Sequence, residues 1–145
     1  MFVSQDDVVE IKIYYIKRGR FYEAFTRGEY EEEKASLKKQ RKKFDEGEYS
    51  LLKVKMLELT WGLYNELHES ALVTDSKGEK NFNYKAFKEG KLLRLIKEWD
   101  AKDPKTGYQA VCDEVNIKSL SPNIAEAILR GYDEENMMSE ETEKN

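Results

Sequence analysis

Apolar positions change their period several times along the chain, and each change marks an expected element. "VVEIKIYYIK" (8–17) sets Val9, Ile11, Ile13 and Tyr15 on alternate positions against a mixed face, the period of a half-buried strand. In "RGRFYEAF" (18–25), Gly19 allows a turn and a returning strand, although the same residues also suit the start of a helix. "EYEEEKASLKKQRKKFDEG" (29–47) is almost all charge, with Glu29 and Glu31 to Glu33 at its start and the bases of 38–43 at its end. That order complements a helix dipole, so a solvated helix ending at Gly47 is expected. Its apolar residues Tyr30, Leu37 and Phe44 recur every seven positions, a narrow stripe able to lie on a partner surface.

"YSLLKVKMLEL" (49–59) alternates Leu52, Val54 and Met56 with Lys53 and Lys55, which predicts a second half-buried strand. Thr60 then offers its hydroxyl as an N-cap. Beyond it Trp61, Tyr64, Leu67 and Ala71 fall at helical spacing and form an expected buried stripe. A loop holding Asp75, Ser76 and Gly78 follows. The pattern then predicts one helix over 83–100, with Tyr84, Phe87, Leu92, Leu95, Ile96 and Trp99 on a broad face. "DPKTG" (103–107) is a turn, and residues 108–120 suit a short extended piece and a single helical turn. A last helix starts with Ser121 as cap and Pro122 at its first position, buries Ile124, Ala127, Ile128 and Tyr132, and ends at Gly131. The expected fold is a helix-rich α+β domain over 1–132, with a small antiparallel sheet of two or three strands and three to five helices.

Composition alters this picture at the C-terminus. Residues 133–145 carry six acids and one lysine, an acidic stretch that suggests a disordered tail. Without it the formal charge of −4 becomes 23 acids against 24 bases, a nearly neutral body with no long-range pull on nucleic acid. Two prolines and eight glycines favour helices over a turn-rich sandwich. A single cysteine, Cys112, rules out a disulfide within this sequence and a multi-cysteine metal site, which suits a reducing cytoplasm. No apolar run approaches the ~18 residues of a membrane span, and the first residues lack a signal-peptide pattern.

Candidate chemistry is sparse. His68, the only histidine, lies beside Glu66 and Glu69, but a zinc-protease helix needs two histidines a turn apart. The spacing favours His68 as a solvated residue flanking the stripe. Acidic neighbours Asp113 and Glu114 would raise the Cys112 thiol pKa, which argues for a structural role. No phosphate-binding glycine loop occurs, and no assembled set of catalytic groups emerges, so enzymatic activity, a cofactor and a metal are all disfavoured. The basic run Lys38, Lys39, Arg41, Lys42 and Lys43 is the one hint of nucleic-acid binding. It is outweighed here by the simpler function of balancing the preceding acids, since no aromatic residues interleave with it.

A strand after "FVSQDDVVEI", then "KVKMLELTWGLYNELHESAL" (53–72), "LLRLIKEWD" (92–100) and "VNIKSLSPNIAEAILRGYD" (115–133), in that order, loosely resemble, over about half of residues 49–133, the small tail assembly chaperones of long-tailed bacteriophages. Those proteins carry a strand running into an "lt-W-g-y-n-e-l" helix and, later, "n-i-x-x-L-x-p-x-i-a-x-a-i" before a polar tail. The matching residues are Leu59, Thr60, Trp61, Tyr64, Asn65, Glu66 and Leu67, then Asn116, Ile117, Leu120, Pro122, Ile124, Ala125, Ala127 and Ile128. The charged helix 29–47 has no counterpart. The resemblance implies a non-enzymatic α+β protein of the host cytoplasm that coats the tape measure protein and recruits tail tube subunits. Tyr30, Leu37, Phe44, Trp61 and Tyr64 are its candidate partner-binding residues. It further implies a longer form made by a −1 ribosomal slip, for which Glu143-Lys144-Asn145 encoded as GAA-AAA-AAC would supply A-AAA-AAC. Rival expectations are an inhibitor of a host or defence enzyme and a component retained in the virion. Self-association is open.

Overall fold

The computed structural model describes residues 1–4 and 6–144, with side chains to residue 136. Its centre is a four-stranded antiparallel sheet in the order β2-β1-β3-β4, formed by β1 (Val8–Arg18), β2 (Phe21–Thr26), β3 (Ser50–Leu57) and β4 (Ile96–Trp99). Residues 18–25 therefore resolve as a returning strand. Arg18 pairs with Phe21 across a two-residue turn, and Gly19 takes the positive φ (62°) that such a turn demands of its first central residue. In register, Ile11 faces Val54 and Ile13 faces Leu52, so the expected alternation does build one continuous apolar face.

The expected helix over 83–100 is corrected. α3 (Tyr84–Leu95) stops at Leu95, and β4 begins at the next residue with no loop between. Opposite β4, Met56 pairs with Ile96 and Val54 with Trp99, so three residue steps on β4 match two on β3. This bulge lets Ile96 and Trp99 both face the core at a spacing that otherwise belongs to a helix. Trp99 is locked there by its indole Nε1, which donates to the Ala110 carbonyl at 2.8 Å. With a short ribbon, Leu72–Thr74 paired to Lys80–Phe82, the strands exceed the expected two or three. The ribbon flanks the loop expected at Asp75 to Gly78.

α1 (Arg27–Lys39) also ends early, eight residues before Gly47. The chain turns back so that Phe44 reaches Tyr30 at 5.4 Å between ring centroids and Tyr49 at 5.2 Å. Tyr30 in turn stacks on Tyr14 of β1 at 3.9 Å. These rings cover one end of the sheet's outer face, and burying them outweighs continuing a helix of weak apolar content.

After the short α4 (Glu114–Lys118), α5 (Pro122–Lys144) covers the inner face and holds the fold together. Ile124, Ala127, Ile128 and Tyr132 are buried as expected, and the Tyr132 hydroxyl donates to the Leu57 carbonyl at 2.9 Å. Gly131 does not end this helix. It faces β1 so closely that a Cβ there would lie 2.7 Å from Ile11 Cγ2, so its small size serves helix–sheet contact. The backbone of the expected acidic tail continues α5 through Lys144, whereas Asn145 and the side chains of 137–144 lie outside the described residues. Within that stretch, Glu134 belongs to the domain: it accepts from the Thr26 hydroxyl at 2.6 Å and the Gly28 N–H at 2.7 Å, at the N-terminus of α1.

α5 also guards the edge of β2. Asn123 Nδ2 donates to the Tyr22 carbonyl at 2.7 Å, and Arg130 holds Glu29 with two hydrogen bonds of 2.9 and 3.0 Å. Burial alone would raise the Glu29 pKa, but the Arg130 hydrogen bonds and charge and the Thr26 N–H lower it overall.

Two predictions follow from this packing. Gly131→Ala should destabilise by about 1–3 kcal/mol through overpacking, measured by urea unfolding, whereas the same change at a mid-helix glycine with open space around it would gain about 1 kcal/mol. Because the folded pKa of Glu29 is depressed, its stabilisation is present above its unfolded pKa of about 4.3 and is lost as pH falls through the folded value. Urea midpoints taken from neutral to acid pH should fall less steeply for Arg130→Gln than for the parent chain.

Candidate functional site

The segment after β3 explains why aromatic side chains collect on one outer flank. α2 (Trp61–Ser70) starts where the Thr60 hydroxyl accepts from the Leu63 N–H at 3.1 Å, as its sequence predicts. α3 is capped likewise by Asn83, which accepts from the Ala86 N–H at 3.1 Å. The short ribbon joins the two helices and brings Phe82 between them. Leu67 and Ala71 point inward and are buried. The expected stripe is otherwise corrected: Trp61 is 77 % exposed and Tyr64 is 40 % exposed. A stripe repeating every three or four residues drifts around the helix, and only its C-terminal end reaches the core.

Trp61 and Tyr64 instead begin a chain of rings across the surface. Trp61 stacks on Tyr64 at 5.8 Å, and Tyr64 meets Phe87 edge-on at 6.4 Å. Phe87 lies 5.3 Å from Phe82, which stacks on the His68 ring at 4.8 Å. His68 thus joins an aromatic surface that includes Phe82 (43 % exposed). Beside this surface, Lys91 Nζ sits 5.6 Å from the Phe87 ring and 5.5 Å from the Tyr132 ring, with Asp133 at 3.4 Å. Lys88 lies over Tyr84 at 5.1 Å. Flat rings carrying O–H and N–H groups at their edges, with cations alongside, suit contact with another protein.

The other candidate residues lie elsewhere. Tyr30 is 7 % exposed, and Leu37 and Phe44 are half-buried, so the expected 30–37–44 stripe is largely occupied within the chain. Lys38, Lys39, Arg41, Lys42 and Lys43 are exposed around the end of α1. Phe82 and Phe87 were missed as site residues because the ribbon that places them depends on contacts between α2 and α3. The only local signal was "NFNY", aromatics alternating with turn-forming asparagines.

Burial chiefly raises the Cys112 thiol pKa, with Asp113 and Glu98 adding to it. No cluster of three or more metal-binding side chains occurs among the described residues, and no described helix is long and apolar enough to cross a membrane. Trp61→Ala should shift stability by less than about 0.5 kcal/mol, whereas Leu67→Ala should cost about 2–5 kcal/mol; thermal and urea unfolding would reverse that order if Trp61 were core. No family model, curated protein or solved structure matches the chain.

Proposed function

We propose that the protein is a non-enzymatic binding module that holds a partner helix against the aromatic surface of Trp61, Tyr64, Phe82 and Phe87. The observation that carries this reading is the run of rings left on the surface between α2 and α3, while of the same stripe only Leu67 and Ala71 are buried. Aromatic side chains lose little conformational entropy on binding and dominate the energetics of protein interfaces. A helix with apolar residues every three or four positions fits such a surface.

The resemblance of 59–67 and 116–128 to tail assembly chaperones makes the tape measure protein of a long-tailed phage the proposed partner, with tail tube subunits joining the complex. In this role the chain acts in the host cytoplasm and covers apolar stripes of a long helical protein until tube subunits replace it. Co-expression with the tape measure protein of the same phage tests this directly. The tape measure protein should remain soluble and co-purify with the parent chain, and should precipitate with a Trp61→Ala/Tyr64→Ala chain that remains folded by circular dichroism. Equal solubility with and without the parent chain, or full activity of the double variant, would overturn the proposal.

A further inference from the structure

A second surface, separate from the aromatic one, lies where α1 ends. Lys38, Lys39, Arg41, Lys42 and Lys43 place five cations within six residues, all exposed. The simplest function for them, neutralising Glu31 to Glu33 earlier in α1, is not realised in pairs: among the described residues no ion pair joins any of the five to an acid. Lys34, one turn before, behaves differently and is bound to Glu46. Of the acids on the returning segment, Glu46 is thus engaged, and Asp45 accepts from the Gly47 N–H at 3.0 Å.

The backbone concentrates these charges. The Lys42 N–H donates to the Leu37 carbonyl at 2.9 Å and the Arg41 N–H to the Lys38 carbonyl at 3.1 Å. This paired bonding closes the helix and occupies two of its last carbonyls, which would otherwise repel an anion. It requires a left-handed residue after the helix, and Arg41 takes φ 56° where glycine would be strain-free. An arginine held in that conformation turns the chain so that Lys42 and Lys43 are added beside Lys38 and Lys39. Lys34, Lys38 and Lys42 then line one cleft of ≈450 Å³ with Phe44, Asp45 and Glu46.

We propose that this corner binds the phosphate backbone of a nucleic acid without reading its bases. Unpaired, closely spaced cations attract phosphates and release their counterions, and five contacts suffice for weak binding. Base stacking is not offered, because Phe44 is already packed on Tyr30 and Tyr49. A membrane surface fits less well, since Leu37 is half-buried and no apolar side chain stands out among the cations to enter lipid.

Fluorescence anisotropy of a labelled DNA duplex of about 20 base pairs, titrated with the full chain from about 50 to 200 mM salt, tests the proposal. Log affinity should fall against log salt with a slope of up to about −4.5, a weakening of several hundred-fold over that range. Lys38→Glu/Lys42→Glu should weaken binding at least about tenfold at the lowest salt, while Lys97→Glu on β4 should leave it unchanged. Arg41→Gly separates binding from folding: thermal stability should hold or rise as the left-handed strain is relieved, and the slope should become shallower by about 0.9. Absent or salt-independent binding, unchanged affinity in either corner variant, or binding only to phosphatidylserine vesicles would overturn it.

Discussion

The close approach of α5 to β1 at Gly131 is the constraint on which the remaining structure depends. With no side chain at that position, the helix lies against Ile11 and Ile13 at a distance that a Cβ would prevent. That depth brings Tyr132 within reach of the Leu57 carbonyl, and Glu134 within reach of Thr26 and Gly28. One helix therefore seals the inner sheet face, guards the β2 edge through Asn123 and Arg130, and supplies an acid to the start of α1. Such helix–sheet packing is intolerant of added volume because the core on both sides is already filled.

The aromatic residues divide into two groups with opposite fates. Tyr14, Tyr30, Phe44 and Tyr49 consume one another over the outer sheet face, and in doing so fold the segment after α1 back onto the domain. Trp61, Tyr64, His68, Phe82 and Phe87 also touch one another, yet their outer surfaces stay in water. Burial decides between the two: rings with a sheet beneath and a returning strand of chain above are closed in, and rings on a two-helix flank are covered on one side only. The proposed binding role follows from that one-sided coverage.

Charge is distributed with the same economy. Arg130–Glu29 and the Glu134 cap spend their charges at one end of α1, and among the described residues no ion pair joins Lys38, Lys39, Arg41, Lys42 or Lys43 at its other end to an acid. A nearly neutral body can thus still present a local field, since at the Debye length of about 8 Å at physiological salt the charges of a compact cluster act together while remote ones are screened.

By itself the sequence determined the strands around Ile11–Ile13 and Leu52–Met56, the Thr60 cap, the buried face of Ile124–Ile128 and the α+β class, because alternation, capping chemistry and helical spacing are local signals. Leu67 and Ala71 were legible as core, but the same spacing placed Trp61 and Tyr64 in the buried stripe, and the structure leaves both exposed. Only the tertiary structure decided that Ile96–Trp99 leaves a helix for a bulged strand, since the gain comes from pairing with the open edge of β3. It likewise decided that Gly131 is a contact and not a terminus, that Phe44 turns inward, and that Phe82 meets His68 and Phe87 on one surface. In each case a deciding partner lies in another element, and hydrophobic burial and strand pairing with it outweigh the local preference of the segment.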